Sequence, residues 1–467
     1  MLIDGKWLEG VKQLAIRSPW DDAVVGNMAR GSEVEVEAAI GAADRAAASC
    51  GSLPVYERAA ILERVKTGIE THSEEFARLL ALEAGKPLHS GRAEVQRAVH
   101  TFELAVEECK RLTGEIIPLD LRPWGAGRTG FLVHEPLGPI ASITPFNFPL
   151  NLVAHKLAPA MAAGNSIVHR PATQTPFSSV LLVRLIEEAG WPAGGINLLT
   201  CPAAAAAPLA TDPRLQLLTF TGSPAVGWGL QKQAERKRVA LELGGNAGVI
   251  VHSDCDLEYA AKAVVAAAFG YAGQSCIAVQ RVLVEERIRE LFEKQLLKEI
   301  ELLRCGDPLE ETTTVGPMIN LTEAVRAENW IEQALAEGAR LLTGGKREGN
   351  LLYPTVLTDT TRAMQVNCDE IFAPVMTLES YGDFATAVEA LDDSRYGLQA
   401  GVFTQDLRRI NLAVRGIKVG GIIINDVPTW RIDHMPYGGI KDSGNTREGV
   451  RWALREMTRE KFIAVRW

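Results

Sequence analysis

The sequence lacks closely spaced cysteines. Its seven cysteines are scattered over 467 residues, and none forms a CxxC pair or the Cys/His spacing of a zinc site. A chain of this length can bury a large core without disulfide or metal cross-links, and isolated cysteines are typical of a reducing compartment. We therefore expect no metal centre and a cytoplasmic protein.

The sequence also lacks an excess of positive charge and a long apolar run. Its formal net charge is −9, which repels phosphate backbones and argues against nucleic acid as a partner. The longest apolar stretch, 263–273, is too short to span a bilayer. The segment MLIDGKWLEG has neither the basic start nor the apolar core of a signal peptide. We expect no association with a membrane.

The chain does contain an alternation of short apolar runs and helical segments. An amphipathic pattern over 57–84 ends at Gly85-Lys86-Pro87 and predicts helices for the first hundred residues or so. From Phe131 onward we predict strands at 140–144, 166–170, 196–200, 217–220 and 239–243, and helices at 151–163, 177–189 and 224–234. After Gly244-Gly245 the alternation begins again, with strands at 248–251, 279–284, 374–379, 399–404 and 419–425 and helices at 257–269, 287–303 and 323–337. This order predicts an α/β fold built from βαβ units in two domains.

One dinucleotide-binding motif is misleading. Gly125-Ala-Gly127-Arg-Thr-Gly130 matches GxGxxG, but that motif requires a strand before it and a helix after it. Here Pro123-Trp124 precede the glycines and a strand-like run, Phe131-Leu-Val-His, follows them. We interpret the segment as a turn.

Three polar motifs each follow a predicted parallel strand: Thr144-Pro-Phe-Asn147, Arg170-Pro-Ala-Thr173 and Thr219-Phe-Thr-Gly222-Ser223. Ligands of open α/β sheets bind at the carboxyl ends of the strands. Gly222-Ser223 also opens a helix, whose free N–H groups can bind an anion such as a pyrophosphate. Each motif alone is compatible with ordinary loop chemistry, but together they predict a cofactor crevice.

Two further residues have the chemistry of catalytic groups. Glu242 lies in an apolar run before two glycines, and burial raises the pKa of such a carboxyl, which suits a general base. Cys276 follows the small and polar residues Gly270-Tyr-Ala-Gly-Gln-Ser. These favour an accessible thiol, for which Asn147 and Glu242 are candidate partners. The alternatives are a strand end that faces solvent for Glu242 and a buried structural cysteine.

The ordered motifs PFNFP, Arg170-Pro171, FTGS, LELGG, GQ-x-C, EIFxPV and P-x-GG-x-K-x-SG resemble those of the aldehyde dehydrogenase superfamily. The resemblance implies oxidation of an aldehyde to its carboxylic acid through a cysteine thiohemiacetal and a thioester. Cys276 would be the nucleophile and Glu242 the general base. Asn147 would donate to the oxyanion together with the backbone N–H of Cys276, and Lys156 would relay protons.

The same resemblance implies the cofactor residues. Glu370 would hold the nicotinamide ribose, with Phe372 beside the ring; the other implied contacts are Thr144, Pro145, Phe146, Arg170, Thr173, Gly222, Ser223 and Gly244. NAD-preferring members have a glutamate where this chain has Thr173, and His169 and Arg170 lie close by in sequence. We therefore expect use of both NAD and NADP, or a preference for NADP.

The segment 425–439 resembles the lactaldehyde, glycolaldehyde and phosphonoacetaldehyde dehydrogenase branch. Arg431 and His434 are expected to hold a polar or anionic substrate tail. Alternatively, Arg431 pairs with Asp433 or another acid in a solvated loop. Ser275 adds no cation beside Cys276, so we expect a small hydroxyaldehyde. Arg451 stands at the position where members of the family commonly have a carboxylate.

By resemblance, the architecture is a Rossmann-type dinucleotide-binding domain (1–113 and 132–243) and an α/β catalytic domain (244–426). A small β oligomerisation element (114–131 and 445–467) and a substrate-pocket loop (427–444) complete it. Exposed strand edges in the oligomerisation element predict a homodimer or homotetramer.

Three other functions are weighed against this one. A CoA-acylating aldehyde dehydrogenase would lack a base, so Glu242 argues against it. A cofactor-independent cysteine esterase would need a histidine partner for Cys276, and no hydrolase signature surrounds that cysteine. A non-catalytic protein can share the fold, but would have little reason to keep the set Cys276, Glu242 and Asn147.

Overall fold

The computed structural model describes residues 1–9 and 12–467. Seven strands of this part of the chain form a first sheet, in the spatial order Arg238–Glu242, Leu217–Thr221, Ile140–Ile143, Ile167–Arg170, Ile196–Leu198, Leu2–Ile3 and Lys6–Trp7. The first five are parallel to one another, and the last two are antiparallel. Central parallel strands need apolar residues on both faces because helices cover both. The strands predicted between 140 and 243 are confirmed, with small differences at their ends.

Eight helices of the described chain pack around this sheet, and their buried apolar residues belong mostly to two core clusters; helix 151–163 is buried on every side. The helices are Glu33–Ser52, Val55–Thr71, Ser73–Ala84, Leu88–Arg111, Asn151–Ala163, Phe177–Glu188, Pro208–Thr211 and Pro224–Gln233. The predicted helices at 151–163, 177–189 and 224–234 are among them.

We predicted helices for the first hundred residues or so, but this segment is not wholly helical. The strands 2–3 and 6–7 and an antiparallel hairpin, Gln13–Arg17 with Val24–Ala29, precede the first helix. The amphipathic pattern over 57–84 is two helices, because His72 leaves helical geometry (φ −101°, ψ 21°) and a new helix begins at Ser73. Acidic residues in the first turn of that helix favour a start there. The hydrophobic pattern shows which residues are buried, and both helices bury residues in the same way. The pattern therefore continues through the break and does not reveal it.

A second sheet follows Gly244-Gly245. Within the described residues its order is Arg340–Thr343, Thr355–Thr358, Val375–Tyr381, Val279–Glu285, Ala247–Val251, Gln399–Phe403 and Gly421–Ile424. All neighbours except the first pair are parallel. The helices of this unit are Leu257–Phe269, Arg289–Glu301, Leu321–Ala336, Gln365–Cys368, Phe384–Asp392 and Leu407–Gly416. The predicted restart of the βαβ pattern is confirmed.

A small antiparallel sheet joins distant parts of the chain: Thr458–Arg466, Arg128–Pro136 and Glu115–Pro118. Short pairs at Arg347–Glu348 with Leu351–Leu352 and at Tyr396–Gly397 with Ile440–Lys441 complete the strands, and Val450–Glu456 is helical. Because a strand begins at Arg128, the GxGxxG segment is a turn, as we interpreted it. That strand continues past residue 131 into the range predicted for the dinucleotide-binding domain, and the domain boundaries stay a prediction. Among the described residues, no helix is both long enough and apolar enough to cross a bilayer.

Candidate active site

The carboxyl ends of strands in the first sheet, and the segments that precede strands 247–251, 279–285 and 375–381 of the second sheet, line one cavity of about 710 Å³. Most of the predicted site residues line it: Pro145, Phe146, Asn147, Gly222, Ser223, Glu242, Gly244, Cys276, Glu370, Phe372 and Arg431. Residues that were not predicted also line it, above all Lys86, Tyr437 and Glu448. The structure therefore gathers the thiol, the amide and the carboxyl in one space.

Cys276 lies at the end of a strained turn. Tyr271 and Ala272 both have φ of 52°, and a Cβ on Gly273 would lie 2.1 Å from the carbonyl oxygen of Ala373. Non-glycine residues adopt this left-handed conformation only when their surroundings hold them there, as at many functional sites. The Sγ of Cys276 lies 3.1 Å from the hydroxyl oxygen of Tyr437. Burial raises the pKa of the thiol to about 12, so it is neutral at rest and must lose its proton as it attacks.

Asn147 presents a side-chain amide to the same space. It is buried, and its Nδ2 donates to the carbonyl oxygen of Gln274 at 3.0 Å. This bond ties the loop after strand 140–143 to the loop that carries Cys276. The amide nitrogen has a second N–H, which is free to meet an oxyanion that forms beside Cys276.

Glu242 is the last residue of strand 238–242 and is buried. Neither carboxyl oxygen has a hydrogen-bond partner among the described residues. Burial, and then the negative charge of Glu448, raise the pKa of Glu242 well above its usual value. A Cβ on Gly438 would lie 2.7 Å from Oε1 of Glu242, so a glycine there leaves room for the carboxyl. An unpartnered carboxyl of raised pKa has the properties of a general base.

Behind Glu242 lies a buried network of charged groups. Lys156 does not line the cavity; its Nζ donates to Oγ1 of Thr219 at 2.9 Å and lies 3.7 Å from Oε1 of Glu448. The other oxygen of Glu448 accepts from Arg431 at 2.9 Å. Burial alone would raise the pKa of Glu448, but Arg431 and Lys156 lower it to about 2. Glu448 is therefore a permanent negative charge next to the site.

The two predicted substrate residues have different positions. Arg431 is buried and lies over the ring of Tyr437, 3.7 Å from its centroid, so the solvated-loop alternative is wrong. Its expected partner Asp433 accepts instead from Arg97 at 2.6 Å and contacts His155 at 2.8 Å.

His434 is exposed and does not line the cavity. Its ring lies edge-on to that of His100, with 6.3 Å between centroids. The structure thus does not bring it to the site.

Other residues that line the cavity have the features of a dinucleotide site. Oε1 of Glu370 accepts from the backbone N–H of Gly245 at 2.9 Å, and burial raises the pKa of Glu370 to about 8. A Cβ on Gly244 would lie 2.0 Å from Oε2 of the same carboxyl. The rings of Phe372 and Phe146 meet edge to face, with 5.9 Å between centroids.

Two buried hydroxyls and a helix end add to these features. Oγ1 of Thr221, which lines the cavity, and Oγ1 of Thr144, a predicted cofactor residue that does not line it, are buried with no partner in the described part of the chain. Gly222 and Ser223 lie at the start of helix 224–233, where free backbone N–H groups attract an anion. Unpaired buried hydroxyls are costly, so these residues fit a polar ligand such as a nicotinamide dinucleotide.

The residues expected at the adenosine end lie away from the cavity lining. Arg170 donates from Nε and Nη2 to the carbonyl oxygen of Cys201, at 3.2 and 3.0 Å, and Thr173 is exposed. His169 is fully buried next to Ser142, and burial lowers its pKa to about 3. The ring is therefore neutral, so His169 adds no positive charge beside Arg170.

Sequence reasoning missed Tyr437, Glu448 and Lys86. Tyr437 lies in Pro-Tyr-Gly-Gly and Glu448 in Arg-Glu-Gly, loop segments with no hydrophobic period to assign a burial state. Of these three residues, only Lys86 has a local sequence signal: it directly follows Gly85, the glycine that ends helix 73–84. Among the described residues, no group of three or more His, Cys, Asp or Glu side chains can hold a metal ion.

Comparison with known proteins identifies the family. The model of the aldehyde dehydrogenase family matches residues 7–463. The chain belongs to the aldehyde dehydrogenase family. The predicted fold class and the predicted reaction class, NAD(P)-dependent oxidation of small aldehydes, are thereby confirmed.

Individual relatives agree with this assignment. The chain is 41% identical over 466 residues to the 3-sulfolactaldehyde dehydrogenase of Priestia aryabhattai, covering 100% of this chain and 97% of the relative. It is 38% identical over 470 residues to the lactaldehyde dehydrogenase of Methanocaldococcus jannaschii, covering 100% of both. The solved structure of glyceraldehyde-3-phosphate dehydrogenase GapN from the same archaeon, complexed with NADP, superposes with a TM-score of 0.94 at 37% identity over 98% of this chain and 100% of that one. The predicted branch of the family is confirmed as well.

Proposed function

We propose that this aldehyde dehydrogenase oxidises a small aldehyde with a polar, hydroxylated tail, with Cys276 as nucleophile, Asn147 as oxyanion donor and Glu242 as general base. The observation that supports the proposal is that these three side chains line one cavity, whose far end carries Glu370, Phe372 and Gly222. The overall balance is aldehyde plus NAD(P)⁺ plus water to carboxylic acid plus NAD(P)H plus a proton.

Cys276 begins the reaction. Its sulfur bonds to the carbonyl carbon as the thiol proton passes to water, and the second N–H of Asn147 and the backbone N–H of Cys276 stabilise the oxyanion. A nicotinamide bound in the cavity would supply the acceptor for the hydride lost from the carbon held by Cys276, and a thioester on Cys276 would remain. The cofactor would be held by Glu370, Phe372, Gly222 and Ser223.

Glu242 acts in the second half of the reaction. Its unpartnered carboxylate takes a proton from water as the water oxygen bonds to the thioester carbon. The S–C bond then breaks, the acid leaves and Cys276 regains a proton. The charges of Lys156 and Glu448 act on Glu242: that of Glu448 raises its pKa, and that of Lys156 lowers it.

The polar tail of the substrate would meet Arg431. Nε of Arg431 and Oε1 of Glu448 are buried, line the cavity, and have no hydrogen-bond partner among the described residues. A donor and an acceptor together suit a hydroxyl group, which can serve both. The names of the relatives, lactaldehyde and 3-sulfolactaldehyde dehydrogenase, are of hydroxylated aldehydes and support the proposal. His434, which lies outside the cavity lining, is not part of it.

The cofactor proposal is dual use of NAD and NADP, with a preference for NADP. Thr173 carries no charge to repel a 2′-phosphate, and Arg170, Thr144, Pro145, Phe146 and Gly244 remain its proposed neighbours. The complex of GapN with NADP supports this choice. We also propose a homodimer or homotetramer in the cytoplasm; the seven free cysteines support a reducing compartment.

The test is an assay of the purified protein with NAD⁺ and NADP⁺ against small aldehydes, with lactaldehyde and propionaldehyde as a hydroxylated and non-hydroxylated pair. We expect higher kcat/KM for lactaldehyde, at least equal kcat/KM for NADP⁺, and no activity in Cys276→Ala. The control is Cys305→Ala, a half-buried cysteine outside the cavity, which should stay active.

Several outcomes contradict the proposal. An NAD⁺/NADP⁺ ratio of kcat/KM far above one contradicts the cofactor preference. Turnover that requires CoA favours the acylating alternative, and ester cleavage without cofactor or aldehyde oxidation favours the esterase alternative. Residual oxidation by Cys276→Ala contradicts the assignment of the nucleophile.

A further inference from the structure

Lys86 is a charged side chain in an unusual place. It follows the helix 73–84, lines the cavity and is only 1% exposed. Its Nζ forms an ion pair with Glu94 and donates to the backbone carbonyl oxygen of Asn147 at 2.8 Å. Lys86 therefore holds the backbone of the proposed oxyanion donor directly.

Glu94 holds the other end of the same loop. Its Oε1 accepts from the backbone N–H groups of Leu150 and Asn151, each at 3.0 Å. These groups lie at the start of helix 151–163, where orphan N–H groups favour a negative charge. The pair Lys86–Glu94 thus fixes residues 147–151 at both ends.

The Lys86 ammonium also contacts the segment that leads to Cys276. Nζ lies 3.8 Å from the centroid of the Phe148 ring and 4.3 Å from that of Tyr271. Tyr271 is in the strained turn before Cys276, and its hydroxyl donates to the carbonyl oxygen of Ala84 at 3.0 Å. One cation therefore contacts both loops that supply oxyanion donors.

A buried ion pair is a poor way to stabilise a fold, because desolvation offsets the attraction of the charges. We propose that Lys86, together with Glu94, is a positioning residue that holds the amide of Asn147 and the backbone N–H of Cys276 at the spacing needed to stabilise the oxyanion. The inference rests on the proposed roles of Asn147 and Cys276. Lys86 acts through them and transfers no proton or hydride.

The experiment compares Lys86→Met, Glu94→Gln and the double variant K86M/E94Q, which leaves no buried charge unpaired. We expect kcat to fall roughly 10- to 100-fold, less than the 10²–10³ typical for removal of an oxyanion donor. The Kd for NADP⁺ should be unchanged, because the hydrogen bonds and ring contacts of Lys86 go to Glu94, Asn147, Phe148 and Tyr271 and to none of the proposed cofactor residues. Lys237→Met is the matched control, since that lysine also donates to a backbone carbonyl, that of Leu209, but outside the cavity; its kcat should match that of the unsubstituted enzyme.

A double-mutant cycle separates positioning from general destabilisation. When K86M/E94Q is added to an Asn147→Ala background, kcat should fall little further than it does in Asn147→Ala alone. The reason is that the effects of groups that act as a unit are not additive. Additive losses, unchanged kcat in the folded variants, or an equal loss in Lys237→Met would overturn the inference. Failure of the proposed function has a different signature: oxidation that survives Cys276→Ala in the unsubstituted background.

Discussion

At the scale of single residues, Glu242 and Glu448 show how neighbours decide the charge of two buried carboxyls. Glu448 is held negative by Arg431 and Lys156, and its pKa is lowered to about 2. Glu242 has no such partner among the described residues, and burial and Glu448 raise its pKa. Pairs of titratable groups whose pKa values are driven apart are typical of acid–base sites. The permanent charge therefore belongs to Glu448, and Glu242 has the raised pKa that our proposal of a general base requires.

The pH dependence of turnover follows from the raised pKa. A carboxyl is a base only when ionised, so the hydrolysis of the thioester should accelerate as the pH rises through the pKa of Glu242. We predict that Glu242→Gln removes this acidic limb and lowers kcat by roughly 10²- to 10⁴-fold, the usual contribution of a general base. The first turnover should persist, and stopped-flow absorbance should show a burst of reduced cofactor followed by steady-state turnover slowed to that extent.

Glu379→Gln is the control for this prediction. Glu379 is a half-buried carboxyl of strand 375–381, bonded to Thr360 and outside the cavity. Its variant should keep both the burst and the acidic limb. Full turnover by Glu242→Gln at neutral pH would show that another group is the base.

At the scale of elements, the connection between the two sheets explains the glycine pair Gly244-Gly245. Strand 238–242 is an edge strand of the first sheet, and the next strand along the chain, 247–251, belongs to the second sheet. The glycine pair therefore connects the cofactor side of the site to the Cys276 side. A Cβ on Gly245 would lie 2.2 Å from the backbone oxygen of Cys276. A backbone atom cannot move aside as a flexible side chain can, so Cys276 itself would have to shift.

We predict that Gly245→Ala lowers kcat/KM about 10²-fold, the order of loss expected when a reacting group is displaced by about an ångström. The measurement is steady-state kinetics together with the rate of thiol alkylation, which should also change because Cys276 moves. Gly229→Ala is the matched control: it lies within helix 224–233 with no atom within 4 Å of the added carbon. It should stabilise the protein by about 0.4–1 kcal/mol at unchanged activity, and equal kinetics for both variants would contradict the prediction.

Elements also show which features the sequence can predict. The parallel strands and helices between 140 and 270 have clear hydrophobic periods bounded by glycine, proline and polar residues, so their positions could be read directly. The antiparallel pair 340–343 with 355–358 was not anticipated, because both strands have only four residues, one largely exposed and the other wholly buried, and so carry no such period. The break at His72 was missed for the opposite reason, since the period is strong on both sides of it.

The residues of the site also divide into those that the sequence predicts and those that it does not. Cys276, Glu242 and Asn147 stand in local settings that single them out: a run of small and polar residues, an apolar strand and a strand end. Lys86 and Glu448 acquire their roles through contacts across the fold, Lys86 with Asn147 and Glu448 with Arg431. No local pattern encodes such a contact. The neutral state of His169 is a further case, because it follows from burial between a strand and a helix.

At the scale of the whole molecule, the small antiparallel sheet leaves apolar residues uncovered. Ile116, Trp124, Phe462 and Trp467 are at least half exposed on its strands and turns. Strands 115–118 and 458–466 are its two edges, and exposed edges with apolar side chains favour pairing with another chain. None of the residues proposed for catalysis or cofactor binding belongs to the strands of this small sheet.

We predict that the protein is a homo-oligomer through this sheet and that Ile116→Lys dissociates it, because a charged residue at an edge strand opposes pairing. Light scattering during size exclusion should show a lower mass for the variant than for the unsubstituted protein at the same concentration. The matched control is Leu407→Lys, which adds the same charge at an equally exposed leucine of helix 407–416, in the second unit. It should leave the mass unchanged. Since none of the proposed catalytic residues belongs to this sheet, the dissociated Ile116→Lys protein should retain oxidation activity. A monomeric unsubstituted protein, or a variant of unaltered mass, would place the interface elsewhere or remove it, and the exposed residues of the sheet would then need another explanation.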